Sequence, residues 1–193
     1  MPRPILFASC LALAALPAIA ETSKADLIGD WQTPVVEQAS PDGSATAWTQ
    51  ATVLFAETEE TLVFEIFADE ERTVPLFTYR SSGPYRVADD PSPVAGAIAL
   101  DLENDRSEVT LHQEIPDLVA ALNMQDCPLE VGVAVEISQC VSGPPFSVGD
   151  CVDMDVVMID EGGRRLRFGG ETFDRCVTRP DELSEQAFFR MEG

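Results

Sequence analysis

Five cysteines, one histidine and 34 Asp and Glu side chains are what this 193-residue chain has to do chemistry with. Four of the cysteines, Cys127, Cys140, Cys151 and Cys176, are spaced 13, 11 and 25 residues apart. None forms a Cys-x-x-Cys pair, so the spacing suits neither a zinc site nor dithiol redox work. An even set in an exported chain predicts two disulfides instead. Of the three connectivities, Cys127–Cys140 with Cys151–Cys176 is the expected one, because each bond then ties neighbouring strands and closes a loop of modest length. His112 alternates with Glu108, Thr110 and Glu114 on one face of a strand pattern. A ligand or general base there competes with plain surface placement, the commoner fate of such a residue. The run Asp150-Cys-Val-Asp-Met-Asp155 offers oxygens to calcium but lacks the EF-hand spacing and its bidentate Glu. No nucleophile elbow, paired-histidine motif or Gly-rich phosphate loop occurs. With 34 acids, carboxylate pairs arise by coincidence and their spacing carries no information. The expectation is a protein that is not an enzyme, with no metal and no cofactor.

The elements that would position these residues are mostly strands. Glu130 to Ile137 alternates, with Val131, Val133, Val135 and Ile137 on one face. Met154 to Ile159 and Leu166 to Gly169 flank Glu161-Gly-Gly-Arg164, a hairpin with a Gly-Gly turn. Upstream, period-two patterns cover 48–56, 61–69, 73–80, 83–87, 94–102 and 107–113, joined by short connections rich in Asp, Glu, Gly and Pro. Such spacing predicts an antiparallel sandwich or barrel. Ile115 to Asn123 reads as one short helix, with Pro116 in its first turn and apolar residues at 115, 118, 119 and 122. The end, Arg179 to Arg190, reads as a short extended or helical tail.

Composition sets the compartment and removes some partners. Arg3 is followed by an apolar run to Ile19, ending in Ala18-Ile-Ala20, the pattern of a secretory signal cleaved after Ala20. Residues 1–20 are therefore expected to be a signal peptide and 21–193 a single β-barrel-like domain, periplasmic or secreted. No later stretch approaches transmembrane length, so no integral membrane segment is expected after cleavage. The formal charge is −22, and removing Arg3 makes it −23. That balance excludes nucleic acid and anionic membrane surfaces as partners, because both need clustered Lys or Arg.

Gly29-Asp-Trp31 on the first strand resembles the calycin, or lipocalin-like, signature, in which the Trp ring closes one end of a barrel. In the C-terminal half come Cys127-Pro-Leu-Glu-Val-Gly132, Val135-Glu-Ile-Ser138, Cys140, Cys151, Met154-Asp-Val-Val157, Leu166-Arg-Phe-Gly169, Cys176 and Arg179-Pro-Asp-Glu-Leu183. Their order resembles the extracellular "adenomatosis polyposis coli down-regulated" (Wnt-antagonist) domain family and its bacterial exported relatives. The resemblance implies an all-β fold, an open or half β-barrel whose concave apolar face holds a lipid or other hydrophobic small molecule. The strand alternation offers Phe64, Ile66, Phe77, Ile98, Leu100, Val133 and Val135 as its lining. The alternative is a protein-interaction module such as a calycin-type protease inhibitor, with a filled barrel and a free N-terminal segment, Glu21 to Leu27. The state of the interior separates the two.

Overall fold

The computed structural model describes residues 22–39, 46–141, 151–160, 162–170 and 174–192. The expected signal peptide and Asp150 lie outside these. Among the described residues there are two short helices, α1 (Lys24–Leu27) and α2 (Pro116–Ala121), and eleven strands. The strands are β1 (Gly29–Gln32), β2 (Val36–Ala39), β3 (Thr46–Phe55), β4 (Glu59–Phe67), β5 (Pro75–Val87), β6 (Ile98–Glu103), β7 (Arg106–Leu111), β8 (Ala134–Glu136), β9 (Val152–Asp160), β10 (Arg165–Phe168) and β11 (Phe188–Arg190). The expected all-β, antiparallel, disulfide-stapled barrel is the fold observed, but it is closed where an open or half barrel was expected. One helix was expected and there are two: α1 lies in the polar lead-in, where the Asp26 carboxylate accepts the Ser23 backbone N–H at 2.9 Å and its hydroxyl at 2.6 Å.

The barrel closes. Strands β3, β4, β5, β6, β9, β10, β11 and β1 pair in that order, and β1 returns to β3, giving eight antiparallel strands with no edge. The tail makes the closure. Read in sequence as an extended or helical end, it enters as β11 between β1 and β10, with Trp31 opposite Arg190 and Leu166 opposite Phe188. Phe188 supplies the apolar side chain that makes this insertion worthwhile. It is buried beside Phe168, ring centroids 5.4 Å apart. Alternation then fills the inside: Trp31, Val53, Phe55, Tyr85, Leu100, Val157 and Leu166 point inward and form one cluster.

A lobe extends from one end of the barrel, and two bulges create it. Between Tyr85↔Leu102 and Ser82↔Arg106, three steps along β5 face four along β6–β7. Between Gln32↔Thr52 and Val36↔Thr49, three steps along β3 face four along β1–β2. Each extra residue bends its strand and sharpens the twist. The connection Glu103 to Arg106, which reads as a turn, is therefore a bulge in one long strand. Likewise 73–80 and 83–87 are continuous as β5. Past the bulges, β2, β3, β4, β5, β7 and β8 form an open sheet. Here α2, Met124 and Ile137 pack on Phe77, Tyr79, Val109 and Leu111 as a second core.

Both disulfides take the expected connectivity, Cys127–Cys140 and Cys151–Cys176. The Gly-Gly turn also forms as expected, with Gly162 and Gly163 at φ 72° and 89° between Asp160 and Arg165. The strand expected over 130–137 does not. Gly132 has φ 80° and interrupts it, leaving Ala134–Glu136 as the strand paired to β7 and Val131 in a single isolated bridge to Leu111. Of its four in-register apolar residues, Ile137 is buried, Val135 is half-buried, and Val131 and Val133 are exposed.

Candidate functional site: an apolar groove outside a filled barrel

The seven residues offered as ligand lining fall in separate places. Leu100 is fully enclosed in the barrel, and Ile98 packs against the same cluster. Phe77 is buried in the lobe, where Ile66 packs beside it. Phe64 touches both cores. Val135 is half-buried on β8 opposite Val109, and Val133 is 45% exposed. No single concave surface gathers the seven. The barrel interior itself is occupied by side chains: Trp31, Phe55, Leu100 and Leu166 have no exposed surface.

Open volume lies elsewhere. A groove of about 790 Å³ runs between α2 with its following loop and the end of β7. Its floor is Leu111, Met124 and Cys127, all buried, and its walls are Ile115, Val119 and Leu129, all half-buried. Val131, 47% exposed, extends the apolar surface outward. Each part has a local cause. Pro116 at the first helical position starts α2, whose apolar stripe then lies on the sheet. The chain leaves α2 through Asn123 at φ 54° and turns back, with the Met124 N–H donating to the Val119 carbonyl at 3.0 Å. The Cys127–Cys140 bond then ties the loop below α2 to the segment after β8. The polar lining residues are Glu114, Gln125 and Glu130, all exposed. Such a groove can hold an extended apolar molecule. The sequence signal for the groove was the helical apolar stripe at 115, 118, 119 and 122.

A second constellation lies in the barrel; the sequence offered Asp153 and Asp155 only as oxygens for calcium and did not single out Glu60. Glu60 shares the inward face of β4 with Leu62 and Phe64, and Asp153 and Asp155 share that of β9 with Val157. Period-two alternation with core residues was the signal that could have found them. Asp155 is buried and accepts the backbone N–H groups of Val156 and Gly169 at 2.7 and 2.9 Å and the guanidinium of Arg175. Burial nevertheless pushes its carboxyl up to about 6, against the pull of Arg175 and of those N–H groups. Burial, with Asp153 nearby, raises Glu60 to about 7. Burial also raises Asp153, although Arg175 and Arg179 oppose it. Arg179 bonds the Leu100 carbonyl and, at 2.6 Å, the Asp101 carboxylate, fastening the segment after Cys176 to the barrel wall. The cluster is therefore a partly buried group of carboxylates whose protonated forms burial favours, and it is part of the frame. Among the described residues, no group of three or more His, Cys, Asp or Glu is placed to hold a metal ion. Asp153 and Asp155 of the run weighed for calcium face inward.

His112 is half-buried on the β7 side of the lobe, its Nε2 2.9 Å from the Thr78 hydroxyl. That contact fixes its ring and leaves it away from the barrel acids. No family model matches this chain, and no curated protein matches it.

Proposed function

We propose that this chain is an exported binding protein that holds an apolar small molecule in the groove beside α2, outside the barrel. The observation that carries the reading is the groove itself. Its volume of about 790 Å³ lies within the roughly 300–1,000 Å³ range of small-molecule sites, and its lining side chains are mostly apolar, in a wide-open groove whose accessible surface polar atoms share equally. The barrel supplies the rigid frame, and the Cys127–Cys140 bond fixes the groove's floor. The resemblance to the Wnt-antagonist domain family supports a lipid-like ligand. Residues 1–20, with Ala18-x-Ala20, would be the export signal, and two disulfides with no membrane-crossing helix among the described residues accord with a periplasmic or secreted location.

The protease-inhibitor reading is favoured less. It needs Glu21 to Leu27 free to enter a cleft. Thr22 and Leu27 are buried, and Arg190 donates to the carbonyls of Asp26 and Ile28 at 2.6 and 2.9 Å. The lead-in is thus bound to the barrel.

The test is displacement of the neutral fluorophore N-phenyl-1-naphthylamine from the folded, oxidised chain by a panel of single-chain and two-chain lipids. Saturable displacement that Val119→Asp abolishes, with the circular dichroism spectrum unchanged, is the expected result. A folded wild type that binds neither probe nor any lipid would sink the reading.

A further inference from the structure

The charge around the groove names the chemistry of its ligand, an inference that rests on the groove being the binding site. The titratable residues lining it are Glu114 and Glu130, both exposed carboxylates, and no Lys or Arg lines it. The surrounding chain is one-signed to an unusual degree. From Ser107 to Gly163 the sequence has no Lys or Arg. Its stretch 107–141, which surrounds the groove, carries Glu108, Glu114, Asp117, Asp126, Glu130 and Glu136. Of these, Glu108 is matched by Arg106 at 2.6 Å, a cation from outside the span. The lobe thus projects a negative potential over the groove, on a protein whose formal charge is already −22. An anionic head group above Glu114 and Glu130 would be repelled, which disfavours fatty acids and phospholipid phosphates.

We propose that the groove binds a single-chain amphiphile whose head group is a protonated primary amine. The tail lies over Leu111, Met124 and Leu129, and the ammonium donates to the carboxylates of Glu114 and Glu130. An amine is preferred to a quaternary ammonium for a structural reason. Recognition of a methylated cation uses the faces of aromatic rings, and the groove lining contains no Phe, Tyr or Trp. Carboxylates reward N–H donors, which a quaternary head lacks.

The probe is again N-phenyl-1-naphthylamine, displaced at low ionic strength from the oxidised chain by four ligands of equal tail length. These are dodecylammonium, dodecyltrimethylammonium, dodecanoate and dodecyl maltoside. Dodecylammonium is expected to bind about tenfold or more tighter than dodecanoate, with the gap narrowing in high salt. It should also outrank the trimethyl compound. Glu114→Gln with Glu130→Gln should erase these preferences. Glu70→Gln with Glu71→Gln, on the exposed β4–β5 turn, should leave them intact. If maltoside binds but dodecanoate binds as well as dodecylammonium, the head-group assignment is wrong while the groove stands. If the β4–β5 pair erodes the preference as much as the groove pair, net charge and not the groove is responsible, and the assignment fails. If no amphiphile displaces the probe, the binding reading itself fails.

Discussion

Trp31 donates its indole N–H to the backbone carbonyl of Leu27 at 2.7 Å, deep in the barrel. The Arg190 guanidinium lies 4.1 Å from the centre of the same ring. One side chain therefore couples α1, the first strand and the last. Trp31→Phe should keep most of the apolar fill but strand the Leu27 carbonyl, costing about 1–3 kcal/mol. Trp31→Ala adds a cavity and should cost about 3–5 kcal/mol. Urea denaturation of both variants checks the ranking. Equal costs would mean that the ring's bulk alone matters.

Glu60 makes stability depend on pH with a definite sign. Its carboxyl titrates near 4.5 in an unfolded chain and is raised to about 7 by burial and by Asp153. Between those values the folded state holds a proton that the unfolded state has released, so stability falls as pH rises through that window. Asp155, raised from 3.8 to about 6, acts in the same direction between those values. Allowing for the partial exposure of Glu60, its share is about 2 kcal/mol. Glu60→Gln mimics the protonated form. The variant's melting temperature should therefore fall less than the wild type's between pH 5 and pH 8. Parallel Tm–pH curves for the two proteins would refute the assignment.

Much of this fold was legible because its strands alternate cleanly. Leu62, Phe64 and Ile66 marked β4, and the Gly162-Gly163 pair marked the β9–β10 turn. The cysteine pairing was legible for the same reason, since partners sit on neighbouring segments. Closure was not legible. It depends on Phe188 finding the slot beside Phe168 about 20 residues upstream, and a three-residue strand leaves too short a period to read. Nor were the bulges, because Asn104-Asp105 looks the same in sequence whether the chain reverses or merely gains a residue. The lining of the candidate site was misplaced for a related cause. A period-two pattern tells which residues share a face, but it does not tell which face meets a filled core and which meets solvent. Val131 and Val133 show this, because the conformation of Gly132 and an edge position override their alternation.

The two disulfides should fail differently. Cys127–Cys140 spans 13 residues and Cys151–Cys176 spans 25, so each contributes about 3 kcal/mol on chain-entropy reasoning. The first lies in the lobe core, the second beside Arg175 at the barrel. Cys127→Ala with Cys140→Ala should loosen α2 and lose probe binding at a temperature where the barrel persists. Cys151→Ala with Cys176→Ala should lower the main melting transition and spare the groove below it. Near-ultraviolet circular dichroism and probe fluorescence, followed together on heating, separate the outcomes. Loss of both signals at one temperature in both variants would show a single cooperative unit.

Gly83 stands where β5 passes from β6 to β7, and its side-chain position is already taken. A Cβ built there would meet the Glu103 carbonyl oxygen at 1.8 Å and its carbon at 2.8 Å. The neighbouring Asp105 N–H donates to the Ser82 carbonyl at 3.0 Å, so the bulge backbone is pinned against the strand and cannot back away without breaking that bond. The need for glycine here comes from close approach and not from backbone conformation. Gly162 offers the contrast: it has φ 72° and nothing within 4 Å of a built Cβ. Gly162→Ala should therefore cost about 1 kcal/mol, from the left-handed conformation alone. Gly83→Ala should cost about 3 kcal/mol, from forced movement of the β6–β7 backbone. Because that bulge joins barrel to lobe, the damage should spread, with faster amide exchange at Asp105 and across Phe77–Ser82. Chemical denaturation with hydrogen exchange measures both effects. A Gly83→Ala cost no larger than that of Gly162→Ala would mean that the bulge does not rest on this glycine, and that something other than Gly83 sets the place where the barrel opens into the lobe.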